Sequence, residues 1–257
     1  MARAREREAA PFGDGTDRHG SDHYGTDCHG TGGMPCRVGD PARPCGGHEP
    51  SLGDLRFRAL LTPGEWAGLP AAVRRRFSTR LGPGESTVYR GRTDVLRRSR
   101  AGAFLAHALR LVGAPLPLDA RPGGASVISV TEDEASGGQN WTRLYAGGGF
   151  PQIIHSAKRF SGPTGLEEYL GRGLTMALRV GVEDGALVFR DAGYFLLVGR
   201  RRIAVPRVLQ PGRLTVRHED LGEGAFRFSL DLVHPVWGEL VHQSGTYRDA
   251  PKPETPK

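Results

Sequence analysis

Cysteine, lysine and long hydrophobic runs are all scarce in this sequence. Only three cysteines occur among 257 residues, all before residue 46, so the rest of the chain has neither a disulfide framework nor a cysteine nucleophile. No apolar run approaches the roughly 20 residues of a transmembrane helix. The charged start, Met1 to Glu8, is not followed by an apolar core, so no secretory signal is expected. These absences favour a cytoplasmic protein that does not contact a membrane.

The basic side chains are almost all arginine. The formal charge is +7, and lysine supplies only three of the 35 Lys and Arg residues. The arginines are scattered among acids, with no long basic tract, zinc-finger spacing or aromatic–basic stripe, so nucleic-acid binding is not expected. The chain also lacks a Gly-x-Gly-x-x-Gly fingerprint after a strand, a P-loop, Gly-x-Ser-x-Gly and His-Glu-x-x-His, which excludes several enzyme classes and predicts no cofactor.

Composition separates two tails from a central domain. Residues 1–50 are rich in Gly, Asp, His, Pro and Arg, and residues 250–257 contain three prolines. Both tails are expected to be disordered, because ordering them would bury too little apolar surface to offset the lost entropy. The first tail concentrates Cys and His side chains but has no Cys-x-x-Cys pair, so no metal site is expected. Residues 51–249 are then expected to form a single β-rich domain.

Short alternating runs of apolar and polar residues follow one another from about Ser126 to Tyr247. Such alternation, interrupted by Gly, Pro or acidic turns, predicts antiparallel strands that are each buried on one face. The pair Asp184-Gly185 is typical of the type I′ turn of a hairpin. The predicted strands are 86–96, 127–132, 139–145, 152–160, 174–183, 186–189, 194–198, 202–205, 214–219, 225–234 and 238–247.

Helical patterns are confined to the first part of the domain. Thr62-Pro63 predicts the start of one helix, 69–77 predicts a second, and 102–111, with its broad apolar face, a third. Residues 165–173 are interpreted as a turn or short helix. Around ten consecutive strands would leave exposed edges unless the sheet closes. We therefore expect a mainly β (α+β) fold, an antiparallel meander closing into a calycin-like barrel with two or three N-terminal helices packed at one end. A two-sheet sandwich is the alternative.

The densest polar stretch runs from Gln139 to Tyr145. On a strand, Gln139, Trp141, Arg143 and Tyr145 share one face. That face can line a ligand cavity, because it combines aromatic and polar groups. It can equally be a solvent face on which Trp141 packs beneath a loop.

Two further stretches carry titratable side chains. His155 and Arg159 share one face of a predicted strand, with Lys158 on the other. The first two can receive an anionic group, or serve as a structural histidine and a solvated arginine. Glu239 and Gln243 share a face of a later strand, where Glu239 acts either as a general base or as the ion-pair partner of an arginine.

With these residues identified, the chain resembles a bacterial family, domain of unknown function 4166. The resemblance covers about residues 52–249 and implies no established activity. Some members look like the same domain attached behind a saccharopine-dehydrogenase-like nucleotide-binding domain, whose motifs this sequence does not contain. The residues that carry the resemblance are Val88 to Gly91, Gly138 to Arg143, Ser156 to Phe160, Gly165 to Gly171, Leu232 to Pro235, Gly238 to Leu240 and His242-Gln243.

Three functions fit these observations. The first is a binding module whose interior holds a small amphipathic or anionic ligand. The second is an enzyme that uses Glu239 and His155 as an acid–base pair, and the third is an accessory domain that recognises an oxidoreductase-like or other protein. Convergence of the polar residues on one concave pocket would favour the first two over the third. No residue is assigned to catalysis. The expected ligand-binding residues are Gln139, Trp141, Arg143, His155, Arg159, Glu239 and Gln243.

Overall fold

The computed structural model describes residues 53–111, 116–118 and 121–249, so both predicted tails and the Cys/His-rich stretch lie outside the described residues. The described residues include three α-helices, α1 (Pro63–Gly68), α2 (Ala71–Ser78) and α3 (Arg100–Leu111), and two 3-10 turns, Arg58–Leu60 and Arg207–Leu209. Their strands are β1 (Ser86–Arg98), β2 (Ala125–Asp133), β3 (Gly138–Tyr145), β4 (Gln152–Arg159), β5 (Glu167–Gly171), β6 (Leu174–Glu183), β7 (Ala186–Val198), β8 (Arg201–Ala204), β9 (Arg213–Gly222), β10 (Ala225–His234) and β11 (Gly238–Asp249).

Ten of these strands close into one antiparallel barrel. β1 to β6 pair in sequence order, β6 pairs with β7, β7 pairs with β9, and β9 to β11 again pair in order. The barrel closes because β11 returns to β1. β8 pairs with β7 along Phe195–Val198 and lies outside the closed circuit. The predicted mainly β barrel of about ten strands is therefore confirmed over the two-sheet sandwich.

Two parts of the strand prediction were wrong. Glu167–Gly171, interpreted as a turn or short helix, forms β5, which pairs with β4 and β6. The predicted strands 186–189 and 194–198 are one continuous strand, β7, because its pairing with β6 continues through the intervening residues with one irregularity. In both segments the local sequence indicates a turn. The structure is extended instead, because the neighbouring strands supply the backbone hydrogen bonds that a short segment lacks on its own.

α1 and α2 fill one end of the barrel, where β1 begins and β11 ends. α1 starts at a capping box in which Thr62 and Glu65 exchange hydrogen bonds, in agreement with the predicted helix start. α2 reaches the last residues of β9 and β11 through ion pairs of Arg76. We call this the plugged end. The core there contains Phe57, Trp66, Leu69, Val73, Phe77, Leu166, Met176, Leu178, Leu187, Phe189 and Tyr194.

α3 lies at the opposite end, where β1 ends and β11 begins, which we call the mouth end. Leu105 of α3 packs with Leu232 and Leu240 of the barrel. Gly102 allows this close approach, because a Cβ at that position would lie 2.0 Å from the Leu240 carbonyl oxygen. Two helices therefore pack at one end, as predicted, while the third lies at the other. None of the described helices is long and apolar enough to cross a membrane.

Candidate ligand-binding cavity

A cavity of about 240 Å³ occupies the barrel interior. Its lining is mostly apolar and includes Phe77 of α2 towards the plugged end, and Leu105 and Leu109 of α3 at the mouth end. Leu209, in the 3-10 turn before β9, also borders the cavity although 72% of this residue is exposed. The cavity therefore approaches the surface at the mouth end, beside α3 and this turn.

The polar face predicted for β3 points into the barrel. Trp141, Arg143 and Tyr145 line the cavity, as alternate residues on one face of a strand. Gln139 is buried and accepts a hydrogen bond from Trp141 Nε1 at 3.2 Å. Arg143 keeps 24% of its side chain exposed. β3 thus provides the cavity with a cation that still contacts solvent.

A group of charged side chains surrounds the carboxylate of Glu168 on β5. Lys158 Nζ lies 2.7 Å from Glu168 Oε2, and Ser156 Oγ donates to Glu168 Oε1 at 2.5 Å. Arg143 lies 3.7 Å from the same carboxylate and donates to Ser156 Oγ at 3.2 Å. These four residues come from the adjacent strands β3, β4 and β5, and all of them line the cavity. We call them the inner ion cluster.

The charges of the inner ion cluster stabilise one another. Burial alone raises the pKa of Glu168, but the charges of Lys158 and Arg143 and the hydrogen bonds from Lys158 and Ser156 outweigh it and lower this pKa to about 2. Burial lowers the pKa of Lys158, and the Glu168 carboxylate opposes that effect. Glu168 is therefore ionised at neutral pH. With Lys158 protonated in its 2.7 Å contact with the carboxylate, two cations face one carboxylate and the cluster carries one net positive charge.

β4 turns a different face inward from the one that we expected to bind a ligand. Ser156 and Lys158 are buried and line the cavity, whereas His155 also lines it but is exposed. Arg159 is outside the lining and pairs with the Asp133 carboxylate at 3.1 Å. The buried basic group that β4 supplies to the cavity is therefore Lys158, whereas His155 borders the cavity from an exposed position and Arg159 lies outside it.

Sequence reasoning missed Ser156, Lys158 and Glu168 as members of the site. β4 carries apolar residues on both faces, so alternation alone does not decide which face is inward. One signal was present: Lys158 is the only lysine between residues 51 and 249 of an arginine-rich chain. Glu168 was hidden because β5 was not recognised as a strand.

β11 separates the two residues that we predicted on one face. Gln243 lines the cavity and forms a hydrogen bond with Tyr145. Glu239 is exposed instead and pairs with Arg97 at 3.2 Å. The cause is a β-bulge at Leu240, an extra residue opposite β10 that reverses the side-chain alternation.

The proposed acid–base pair of Glu239 and His155 is not assembled. Their strands, β11 and β4, are separated in the barrel by β1, β2 and β3. The hydrogen bond from Arg97 lowers the pKa of Glu239, which favours an ionised surface carboxylate. Within residues 53–111, 116–118 and 121–249, no group of three or more His, Cys, Asp and Glu side chains is arranged to hold a metal ion.

A second buried titratable group is His218 of β9. Its ring lies 5.2 Å from that of Phe77 and 4.7 Å from those of Phe226 and Phe228, measured between centroids. No described residue forms a hydrogen bond with its Nδ1 atom. Burial, assisted by the charge of Arg76, lowers the pKa of His218 to about 3. His218 is therefore a neutral core residue at physiological pH.

Comparison with curated proteins found no match, and comparison with solved structures found none. A family model described as a domain of unknown function, DUF4166, matches residues 69–247. That range begins just before α2 and ends within β11, so it includes all ten barrel strands, α3 and the inner ion cluster. The chain therefore belongs to the DUF4166 family.

Proposed function

We propose that the barrel binds a small amphipathic molecule whose anionic group contacts Arg143. The observation that carries this proposal is the net positive charge of the inner ion cluster in an otherwise apolar cavity. An anionic group that enters would neutralise this charge, while its apolar part would contact aliphatic and aromatic walls. Charge and cavity lining therefore favour the same ligand chemistry.

Arg143 is the member of the cluster best placed to receive the anion. Lys158 and Glu168 are only 2.7 Å apart, whereas Arg143 lies 3.7 Å from the carboxylate and is partly exposed. A guanidinium has five N–H donors in a planar fork and can bind a carboxylate through two of them. Trp141 and Gln243 also line the cavity and would complete the polar side of the site.

The dimensions of the cavity limit the ligand to a small molecule. Its volume of about 240 Å³ is slightly below the roughly 300–1,000 Å³ that is usual for pockets holding drug-sized molecules. We therefore expect a medium-length acyl or similarly compact apolar group rather than a bulky cofactor.

The chemistry of Glu168 favours binding over acid–base catalysis. A general base works best when its pKa is near the operating pH. The pKa of Glu168 is about 2, because two cations and two hydrogen bonds stabilise its ionised form. This carboxylate is therefore suited to holding Lys158 and Arg143 in place, and poorly suited to removing a proton from a substrate.

Isothermal titration calorimetry with octanoate and 1-octanol tests the proposal. The two probes share an eight-carbon chain and differ in charge. Wild-type protein stripped of bound lipid should bind octanoate about tenfold to a hundredfold more tightly than octanol, the range expected for a charge-assisted hydrogen bond. Arg143→Gln should abolish this preference and Arg143→Lys should keep much of it.

Arg179→Gln is the matched control, since Arg179 is exposed on β6 and does not line the cavity. It should leave the octanoate preference unchanged. A wild-type protein that binds neither probe, or an Arg143→Gln variant that still prefers octanoate, would refute the proposal.

A further inference from the structure

The two ends of the barrel differ in charge. At the mouth end, the described residues of the connections β1–β2, β3–β4, β5–β6, β7–β8, β8–β9 and β10–β11 contain no Asp or Glu. At the plugged end, residues 53–85, which include α1 and α2, and the connections β2–β3, β4–β5, β6–β7 and β9–β10 contain six arginines and six acids, so this end has no net charge. The arginines of the mouth end are Arg100, Arg110, Arg121, Arg172, Arg200 and Arg207. The plugged end contains the arginines Arg56, Arg58, Arg74, Arg75, Arg76 and Arg80 and the acids Asp54, Glu65, Glu85, Glu134, Asp184 and Glu223.

The mouth end also carries seven of the fourteen exposed large apolar side chains of the described residues. Phe150, between β3 and β4, is 98% exposed, and Val208 in the β8–β9 connection is 86% exposed. The plugged end contributes Leu55, which is 64% exposed, and Leu221 at the end of β9, which is 41% exposed. Apolar side chains and arginines therefore lie at the same end of the barrel, around the cavity opening. The apolar group at the mouth end is Phe104, Leu111, Phe150, Val208, Leu209, Val236 and Trp237.

We propose that the mouth end docks on the surface of an anionic lipid bilayer. Interfacial binding combines apolar side chains that enter the acyl boundary with arginines that contact anionic head groups. Nucleic acid would account for the arginines but would leave the exposed aliphatic side chains without a partner. Such docking needs no membrane-spanning helix, and it differs from the prediction from the sequence that the protein does not contact a membrane.

Docking would turn the cavity opening towards the lipid. α3 and the Arg207–Leu209 turn border the cavity and carry Phe104, Leu111 and Val208 on their exposed sides. A molecule of the class proposed above could then pass between bilayer and barrel without crossing water. The docking itself does not depend on the proposed function, since it concerns side chains outside the cavity.

Vesicle flotation tests the docking surface. The full chain should float with vesicles of phosphatidylcholine and phosphatidylglycerol, at 70:30, and much less with phosphatidylcholine alone. Arg207→Gln should weaken partitioning about fivefold, the effect expected of one arginine near an anionic surface. Phe150→Ser should weaken it about tenfold, because a large apolar group is lost from the interface.

Arg80→Gln and Leu221→Ser make the same changes at the plugged end and should leave partitioning unchanged. Three results would overturn the proposal: no dependence on phosphatidylglycerol, equal losses in the control variants, or a loss with Arg207→Gln but none with Phe150→Ser. The last result would indicate a polyanion such as nucleic acid. Arg207 and Phe150 lie outside the cavity lining, so octanoate binding should persist in both variants and failure of either proposal can be recognised separately.

Discussion

Replacing Glu168 by Gln removes the carboxylate that the inner ion cluster surrounds. The variant leaves Arg143 and Lys158, whose side chain is only 7% exposed, without their shared counter-ion. Removing one partner of a buried ion pair destabilises a protein by about 3–5 kcal/mol. The shift of the Glu168 pKa from 4.5 to about 2 corresponds to roughly 3 kcal/mol at neutral pH. We therefore expect Glu168→Gln to lower the free energy of unfolding by about 3–5 kcal/mol.

A double-mutant cycle tests whether this loss of stability arises from the ion pair between Glu168 and Lys158. Lys158→Met should be destabilising too, because the only cation that it leaves beside the carboxylate is the more distant Arg143. The combined variant should lose less than the sum of the single losses, by about 1–3 kcal/mol, since each change removes the charge that the other leaves unpaired. Urea unfolding at pH 7 measures all three variants. Glu134→Gln, an exposed carboxylate in the β2–β3 turn, is the control and should stay within about 0.5 kcal/mol of wild type.

Acid provides a second check on the same pair. The pKa of Glu168 is depressed in the folded protein, so its stabilising contribution is present above pH 4.5 and is lost as the pH falls towards 2. The difference in the free energy of unfolding between wild type and Glu168→Gln should therefore decrease as the pH falls from 4.5 towards 2. Additive single losses in the cycle, or a Glu168→Gln loss below about 1 kcal/mol at pH 7, would refute the reasoning.

Two other predictions concern the core and α3. Between pH 6.5 and 4.5 the wild type should lose about 2–3 kcal/mol of stability, because unfolding lets His218 bind a proton that the folded core excludes. In urea unfolding, His218→Phe should reduce this loss of stability between pH 6.5 and 4.5. An unchanged loss would contradict the conclusion that His218 is a neutral core residue. Gly102→Ala should lower the Tm despite its better helix propensity, since its Cβ would meet Leu240, whereas Gly64→Ala has open space and should not. Equal Tm changes would contradict the packing of α3.

The barrel could be predicted because most of its strands carry a clear local pattern. Leu174–Glu183 and Ala225–His234 were predicted with the bounds that the structure shows. Each strand alternates apolar and polar residues and borders a glycine-containing hairpin turn, so the hydrophobic period and the turn signal predict the same bounds. β5 has only five residues, and its extended conformation depends on β4 and β6, which come from other parts of the chain.

The site was less predictable, since it depends on which face of each strand turns inward. Trp141 and Arg143 were grouped correctly on one face, and the structure directs that face into the cavity. Lys158 and His155 occupy opposite faces of a strand that is apolar on both sides, so pairing partners decide between them. Glu239 was misplaced because a bulge at Leu240 changes the period, and single-residue insertions in a ladder have no local signature here.

Native mass spectrometry of the protein purified from its own host tests the central claim most directly. The account predicts that wild-type protein carries a small anionic molecule, and that Arg143→Gln purified in parallel carries much less of it while Arg179→Gln carries the same amount. Two results would contradict the claim that the barrel interior is an anion-selective binding site. One is a wild-type spectrum that shows only the mass of the chain without a bound molecule, and the other is an equal amount of bound molecule in wild type and Arg143→Gln.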